Sequence, residues 1–79
     1  MVRLIGKCPY CGHVVGPEPE GKERSIKRQL KDHMLAYHRE KLSQELKEWQ
    51  SEGRRIPPNA DPLKWLAGYK AAFNIYMID

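Results

Sequence analysis

The sequence predicts a small α+β domain in which two short strands precede a long helix and a second, C-terminal helix. Three observations predict this order. Two β-prone segments surround a Cys-x-x-Cys turn, a stretch with helical apolar spacing ends before Gly53, and another helical stretch begins at Asp61 and Pro62. A chain of 79 residues forms one domain at most.

The two predicted strands are short and lie on either side of the turn. Residues 3–5 (Arg-Leu-Ile) and 13–15 (His-Val-Val) carry the side chains that favour extended structure. We therefore predict a small antiparallel hairpin. Residues 16–21 contain two glycines and two prolines, and we expect them to form a loop without regular structure.

A long helix is expected from Ser25, as its N-cap, to about residue 52. Its apolar side chains change face partway along. The first stripe consists of Ile26, Leu30, His33, Met34 and Tyr37, and the second of Leu35, Leu42, Leu46 and Trp49. Either the helix bends near His38, or its distal half packs into a different core.

The second helix is expected from Leu63 to about Ile78, with Asp61 as its cap and Pro62 in its first turn. One broad apolar stripe, interpreted as core, comprises Trp65, Leu66, Tyr69, Phe73, Tyr76 and Met77. This stripe could dock on the second stripe of the first helix, or on another copy of the chain to form a homodimer. The sequence leaves both arrangements open.

Two cysteines and two histidines form the pattern C-x2-C-x21-H-x4-H, which predicts a tetrahedral zinc site. The predicted ligands are Cys8, Cys11, His33 and His38. Five helical steps rotate by about 500°, roughly 140° off alignment, so the helix must tighten or loosen near the second histidine. The thiols could instead be a redox pair or ordinary buried cysteines, and His13 could replace one ligand. Tyr10 is expected to pack beside the metal.

One structural Zn²⁺ held by four protein ligands leaves no coordinated water, so we expect neither an enzyme nor a small-molecule substrate. No apolar run approaches the roughly 20 residues of a membrane span. The N-terminal segment is too short for a signal peptide, and zinc-bound thiolates suit a reducing compartment. We therefore expect an intracellular protein with no membrane partner.

The positive charge lies on the half of the chain that contains the cysteines and histidines. Residues 1–41 carry nine Lys or Arg against five Asp or Glu, whereas residues 42–79 carry five of each. This asymmetry indicates a polyanionic partner for the first half.

Residues 3–38 resemble the two-cysteine, two-histidine zinc fingers that fold as ββα units. The ligands occur in the family order, and Leu30 stands where the family keeps its core leucine. The gap of 21 between Cys11 and His33 exceeds the usual gap of about twelve. The family's core aromatic is missing, and Val14, Val15 or Ile26 would fill its place. The chain is also similar to small single-finger proteins of archaeal viruses. We assign residues 1–41 to the finger and 42–79 to a helical extension of the same domain.

The resemblance implies double-stranded DNA binding, with the finger helix in the major groove, and a role in transcription regulation. Its base-reading places fall on Ile26, Gln29 and Asp32, with Arg28 beside them, although we expect Ile26 inside. The candidate DNA-binding residues are Lys22, Arg24, Lys27, Arg28, Gln29, Lys31 and Arg39. The alternative is a zinc-scaffolded protein–protein interaction module, favoured by the apolar second helix. The resemblance places the protein in a prokaryotic host's cytoplasm or in a eukaryotic nucleus.

Overall fold

A computed structural model describes residues 2–79 and contains one three-stranded sheet and three helices. The chain order is two strands, three helices and a final strand. The elements are β1 (Arg3–Lys7), β2 (Val14–Pro19), α1 (Glu23–Tyr37), α2 (Arg39–Ser51), α3 (Pro62–Ala72) and β3 (Ile75–Ile78). The predicted α+β class is confirmed, and β1, β2 and α1 follow the ββα order.

The sheet is antiparallel, and β1 lies between β2 and β3. On one side Gly6 is paired with Val15, and on the other Gly6 is paired with Ile75. Strand β1 therefore makes ladder contacts with segments from both ends of the chain. The register between β1 and β2 shifts between Leu4 and Gly6.

The core forms where α1 packs on the sheet. Ile26, Leu30 and Met34 of α1 are 0% exposed, and they share one cluster with Leu4 and Val15 of the sheet. Spacings of four place these three side chains on one face of the helix. Ile26 and Val15 are thus inside, whereas Val14 is 49% exposed and does not fill the place of the missing aromatic.

The expected continuous helix is two helices that meet at His38. Helix α1 starts at Glu23, with Lys22 rather than Ser25 as its N-cap residue, and it ends at Tyr37. His38 adopts φ −128° and ψ 29°, and α2 begins at the next residue. The N–H of His38 donates to the Met34 carbonyl at 2.8 Å. Of the two alternatives, the interruption near the second histidine is the one that the structure adopts.

The predicted loop over residues 16–21 is partly strand, because β2 continues to Pro19. Strand β2 is an edge strand, and prolines are tolerated on the side of an edge strand that needs no N–H donor. Gly16 takes φ +94°, and a Cβ there would lie 2.8 Å from Cδ1 of Ile26 and 2.9 Å from the Leu4 carbonyl oxygen. The turn at residues 20–22 then leads into α1.

The prediction of a helix as far as Ile78 is wrong beyond Ala72, because residues 75–78 form β3. The start of α3 is as expected. One carboxylate oxygen of Asp61 accepts from the backbone N–H of Leu63 at 3.0 Å and of Lys64 at 3.3 Å, and Pro62 lies in the first turn. Helix α3 is therefore well capped at its N-terminus.

The apolar stripe predicted for the second helix is buried only in part, at Leu66 and, half-buried, at Trp65. Helix α3 buries Leu66, Ala67, Gly68 and Ala71, whereas Tyr69 is 39% and Phe73 69% exposed. Tyr76 and Met77 of β3 are exposed too. Small side chains face α1 because they permit close approach: a Cβ on Gly68 would lie 3.4 Å from Cε of Lys27.

Helix α3 also contacts α2 within the chain. The rings of Trp49 and Trp65 lie 5.6 Å apart and meet edge to face. The predicted packing of the second helix on the second apolar stripe of the first helix therefore occurs through Trp49. Helix α3 contacts α1 as well. Within residues 2–79, no helix is both long enough and apolar enough to cross a membrane.

Candidate metal centre

The turn between β1 and β2 carries both cysteines. The backbone N–H of Cys8 donates to the His13 carbonyl at 2.8 Å, and the N–H of Gly12 donates to the Cys8 carbonyl at 2.9 Å. Gly12 has φ +77°, a conformation that glycine adopts without a Cβ penalty. These bonds fix a tight turn that places the two thiols near each other.

The two histidines come from the end of α1. His33 lies within the last turns of the helix, and His38 caps it where the chain is no longer helical. Their ring centroids are 5.3 Å apart at an interplanar angle of 64°. The interruption of the helix thus offsets the rotation that five helical steps would introduce.

Cys8, Cys11, His33 and His38 each offer a ligand atom, and these atoms all lie within 4.8 Å of one another. Sγ of Cys11 is 3.3 Å from Nε2 of His33. Ligands at zinc distances in a tetrahedron lie roughly 3.3–3.8 Å apart. The four predicted ligands are therefore close enough to hold one metal ion.

The burial of three of the four residues is also consistent with a bound metal ion. Cys8 is buried, at 2% exposure, and His33 and His38 are half-buried. Nε2 of His38 is buried and has no hydrogen-bond partner among residues 2–79. A buried ring nitrogen without a partner is costly, and coordination of a metal would satisfy it.

The electrostatic surroundings favour neutral imidazole and disfavour a lone thiolate. Burial, followed by the neighbouring His13 and His38, holds the pKa of His33 below its usual value. Burial raises the pKa of the Cys8 thiol, although the backbone N–H groups of Tyr10 and Cys11 act in the opposite direction. A bound cation would reverse the second effect, because it stabilises a coordinated thiolate.

His13 lies next to the cluster but is not part of it. Its ring stacks on that of His33, with centroids 4.4 Å apart and planes at 15°. Within residues 2–79, the group of four that could hold a metal consists of the two cysteines with His33 and His38. His13 therefore supports the orientation of a ligand ring.

Tyr10 packs beside the centre, as predicted, with its ring 5.3 Å from that of His38. Sequence reasoning missed two residues that surround it. Glu45 of α2 and Lys70 of α3 form an ion pair, and Nζ of Lys70 lies 4.8 Å from the Tyr10 ring centroid. Burial and the Glu45 carboxylate raise the pKa of Tyr10 above its usual range. No sequence spacing links these three residues, since they come from separate elements.

The candidate DNA-binding residues lie mostly on the outer surface of α1. Arg24, Lys27, Arg28 and Lys31 line one shallow groove, and we name these four residues the basic ridge. Lys22 and Arg39 are exposed at the two ends of α1.

Gln29 and Ile26 differ from the basic ridge. The amide of Gln29 donates to Oε1 of Glu18 at 3.3 Å and to Oγ of Ser25 at 3.2 Å. Ile26 is fully buried, as expected. Of the other two places that the resemblance assigns to base reading, Asp32 is exposed and Gln29 is half-buried, and the neighbouring Arg28 is exposed.

Neither a known protein family, nor a curated protein, nor a solved structure matches the chain. The likeness to a zinc finger thus rests on the chain's own geometry: four clustered ligands carried by a ββα arrangement.

Proposed function

We propose that the protein is a zinc-dependent DNA-binding protein that acts in transcription regulation. The observation that carries this proposal is the placement of the basic ridge on the same helix that supplies two of the metal ligands. The four cationic side chains line one groove along α1, and His33 lies near the C-terminal end of the same helix.

Zinc is the metal that the ligand set supports best. Two thiolates and two imidazoles in a compact, tetrahedron-sized cluster suit Zn²⁺, and structural zinc sites of this type keep all four positions filled by protein. The role that we propose for the ion is therefore structural. The protein binds a partner and performs no reaction at this centre.

The metal and the basic ridge are connected through α1. Ile26, Leu30 and Met34 hold this helix on the sheet from one side, and the ion would tie its C-terminal end to the β1–β2 turn. The helix then presents the arginine and lysine side chains at fixed spacing, with Lys27 and Lys31 on the flank that borders α3. Loss of the metal would release the end of the helix and disperse this charge.

Phosphate contact is better supported than base reading. The basic ridge offers four cations, with Asp32 as the one acidic residue that lines the same groove. The Gln29 amide is already bonded to Glu18 and Ser25, so it would need to break these bonds to reach a base. Contacts to phosphate give affinity and orientation, while base contacts give sequence preference.

Fluorescence anisotropy with labelled duplex DNA tests the proposal. We expect binding that weakens steeply as salt rises, because each neutralised phosphate releases counterions. Arg28→Ala should weaken binding and lower the salt slope by about 1. Lys47→Ala on the exposed surface of α2 is the matched control and should leave both quantities unchanged. Binding that ignores salt would contradict the proposal.

A zinc-scaffolded interaction module is the second candidate, and the exposed strand β3 favours it. This strand lies at the edge of the sheet, and Tyr76, Met77 and Ile78 are all exposed on it. An apolar edge strand can pair with another chain. Binding to a protein without duplex affinity at low salt would select this candidate.

A further inference from the structure

A groove between α1 and α3 lies beside the basic ridge and, unlike it, is lined by aromatic side chains as well as lysines. It has a volume of about 390 Å³, at the lower end of the roughly 300–1,000 Å³ of typical ligand sites. Lys27 and Lys31 line it from α1, and Lys64, Trp65 and Tyr69 line it from α3. We name it the aromatic groove.

The aromatic side chains of this groove form an ordered stack. The rings of Trp65 and Tyr69 are 5.3 Å apart and nearly parallel, at 22°. The ring of Trp49 packs against the rings of Trp65 and Tyr69, which it meets edge to face at 5.6 and 5.2 Å. The stack is therefore held in place while Tyr69 remains 39% exposed.

Small residues also line the groove. Gly68 and Ala72 line it together with the aromatic rings and the lysines. A Cβ on Gly68 would be 3.4 Å from Cε of Lys27 and 3.6 Å from Cδ of Lys31. The aliphatic parts of both lysines thus cover the glycine, and their charged ends border the opening.

The charge of the groove is positive. Three lysines line it together with one acidic residue, Asp61, whose carboxylate already accepts two backbone N–H groups at the start of α3. A ligand that combines flat apolar rings with negative charge would match both features. Single-stranded nucleic acid has this chemistry, because its bases are unpaired and its phosphates run alongside them.

We propose that the aromatic groove binds single-stranded nucleic acid, with one base stacked on Trp65 and Tyr69 and the adjacent phosphates near Lys27, Lys31 and Lys64. Two of these lysines belong to the basic ridge, so the groove extends the proposed DNA surface without depending on duplex binding. Duplex DNA cannot use the stack, since its bases already stack on one another. The chain would thus bind paired and unpaired strands on two adjoining surfaces that share Lys27 and Lys31.

Titration of the zinc-loaded protein with a short fluorescein-labelled oligo-dT tests this proposal. We expect salt-dependent binding and quenching of intrinsic tryptophan fluorescence. Trp65→Leu should weaken binding about tenfold, as expected for loss of one base–aromatic stack, whereas Trp65→Phe should restore most of it. Tyr76→Leu, which removes an exposed aromatic outside the groove, should have no effect. Unchanged zinc content and circular dichroism establish that each variant is folded.

A second pair of variants separates this proposal from duplex binding. Lys64→Gln should weaken oligo-dT binding and leave duplex binding unchanged, while Arg28→Ala should do the reverse. The proposal would be overturned by equal losses for Trp65→Leu and Tyr76→Leu or by the absence of tryptophan quenching, and a parallel titration with oligo-U shows whether DNA or RNA is the preferred single strand.

Discussion

The rings of His33 and His38 lie 5.3 Å apart although the two residues are five positions apart along the chain. In an uninterrupted helix these side chains would point about 140° apart. The helix instead stops at Tyr37 and restarts at Arg39. The break in the helix is therefore what brings the two imidazole rings together at this spacing in the sequence.

Removal of the metal should unfold at least the ββα part of the chain. Zinc binding supplies about 10–16 kcal/mol of apparent free energy in zinc-finger peptides, and that energy is folding energy. A strong chelator, or Cys8→Ser, should therefore abolish zinc binding and lower the free energy of unfolding by several kcal/mol. Circular dichroism and native mass spectrometry would measure both effects.

The control for this prediction is His13→Asn, which changes the ring stacked on His33 but removes no predicted ligand. It should retain one zinc at neutral pH. Circular dichroism that does not respond to the chelator, together with a mass that lacks zinc, would contradict the metal site.

Acid should release the metal only below the usual titration range of histidine. Burial and the neighbouring His13 and His38 lower the pKa of His33 from 6.5, so the folded chain binds fewer protons here than the unfolded chain. The stability from a neutral His33 is fully present above pH 6.5 and is lost as the pH falls through the lower folded pKa.

A dye that reports free zinc would measure this release during acid titration. We expect a midpoint below 6.5 for the native chain. His13→Asn should move the midpoint upward, because one charge that opposes protonation of His33 is removed. Stability that rises on acidification would be inconsistent with this environment.

Gly6→Ala should destabilise the fold, because the central strand has no room for a Cβ. Such an atom would lie 2.8 Å from Cγ2 of Ile26 and 3.0 Å from Cγ2 of Val15. Overpacking of this kind costs about 1–3 kcal/mol. Urea denaturation would measure the loss.

The matched variant is Gly68→Ala in α3. Its Cβ would meet only the flexible stems of Lys27 and Lys31, at 3.4 and 3.6 Å. Alanine also favours the helix by about 0.8–1.0 kcal/mol over glycine. We expect this variant to be at least as stable as the native chain. A Gly6→Ala variant as stable as the native chain would show that the packing around Gly6 is not tight.

Asp61→Ala should destabilise α3 by about 0.5–2 kcal/mol, since it removes the carboxylate that accepts from Leu63 and Lys64. Asp61→Asn keeps a capping oxygen and should retain most of the stability. Thermal unfolding followed by circular dichroism would compare the two. A similar loss in both variants would indicate that the negative charge, rather than the cap, matters.

The metal ligands and the core face of α1 could be predicted because local spacing determines both. The sequence order of Cys8, Cys11, His33 and His38 indicates a common site, and Ile26, Leu30 and Met34 repeat at helical intervals. The geometry of a helix also makes an interruption near His38 necessary. These inferences need no knowledge of distant contacts.

Strand β3 could not be predicted because its residues also continue a helical apolar pattern. A short apolar run such as 75–78 fits either state, and its pairing with β1 depends on where α3 ends and returns the chain. For a similar reason, the sequence pattern predicts a core position for Tyr69 and Phe73, which are exposed. Large apolar side chains dominate the helical pattern in the sequence, whereas the small residues Gly68 and Ala71 are on the buried face of α3.

Strand β1 has a neighbour on each side, and the two neighbours come from opposite ends of the chain. A fragment ending at residue 41 would keep the four sulfur and nitrogen ligands yet leave one flank of β1 without its backbone partners. Because residues 75–78 supply these partners, the part of the chain that holds the candidate metal ligands and the part that forms β3 depend on each other for a complete sheet.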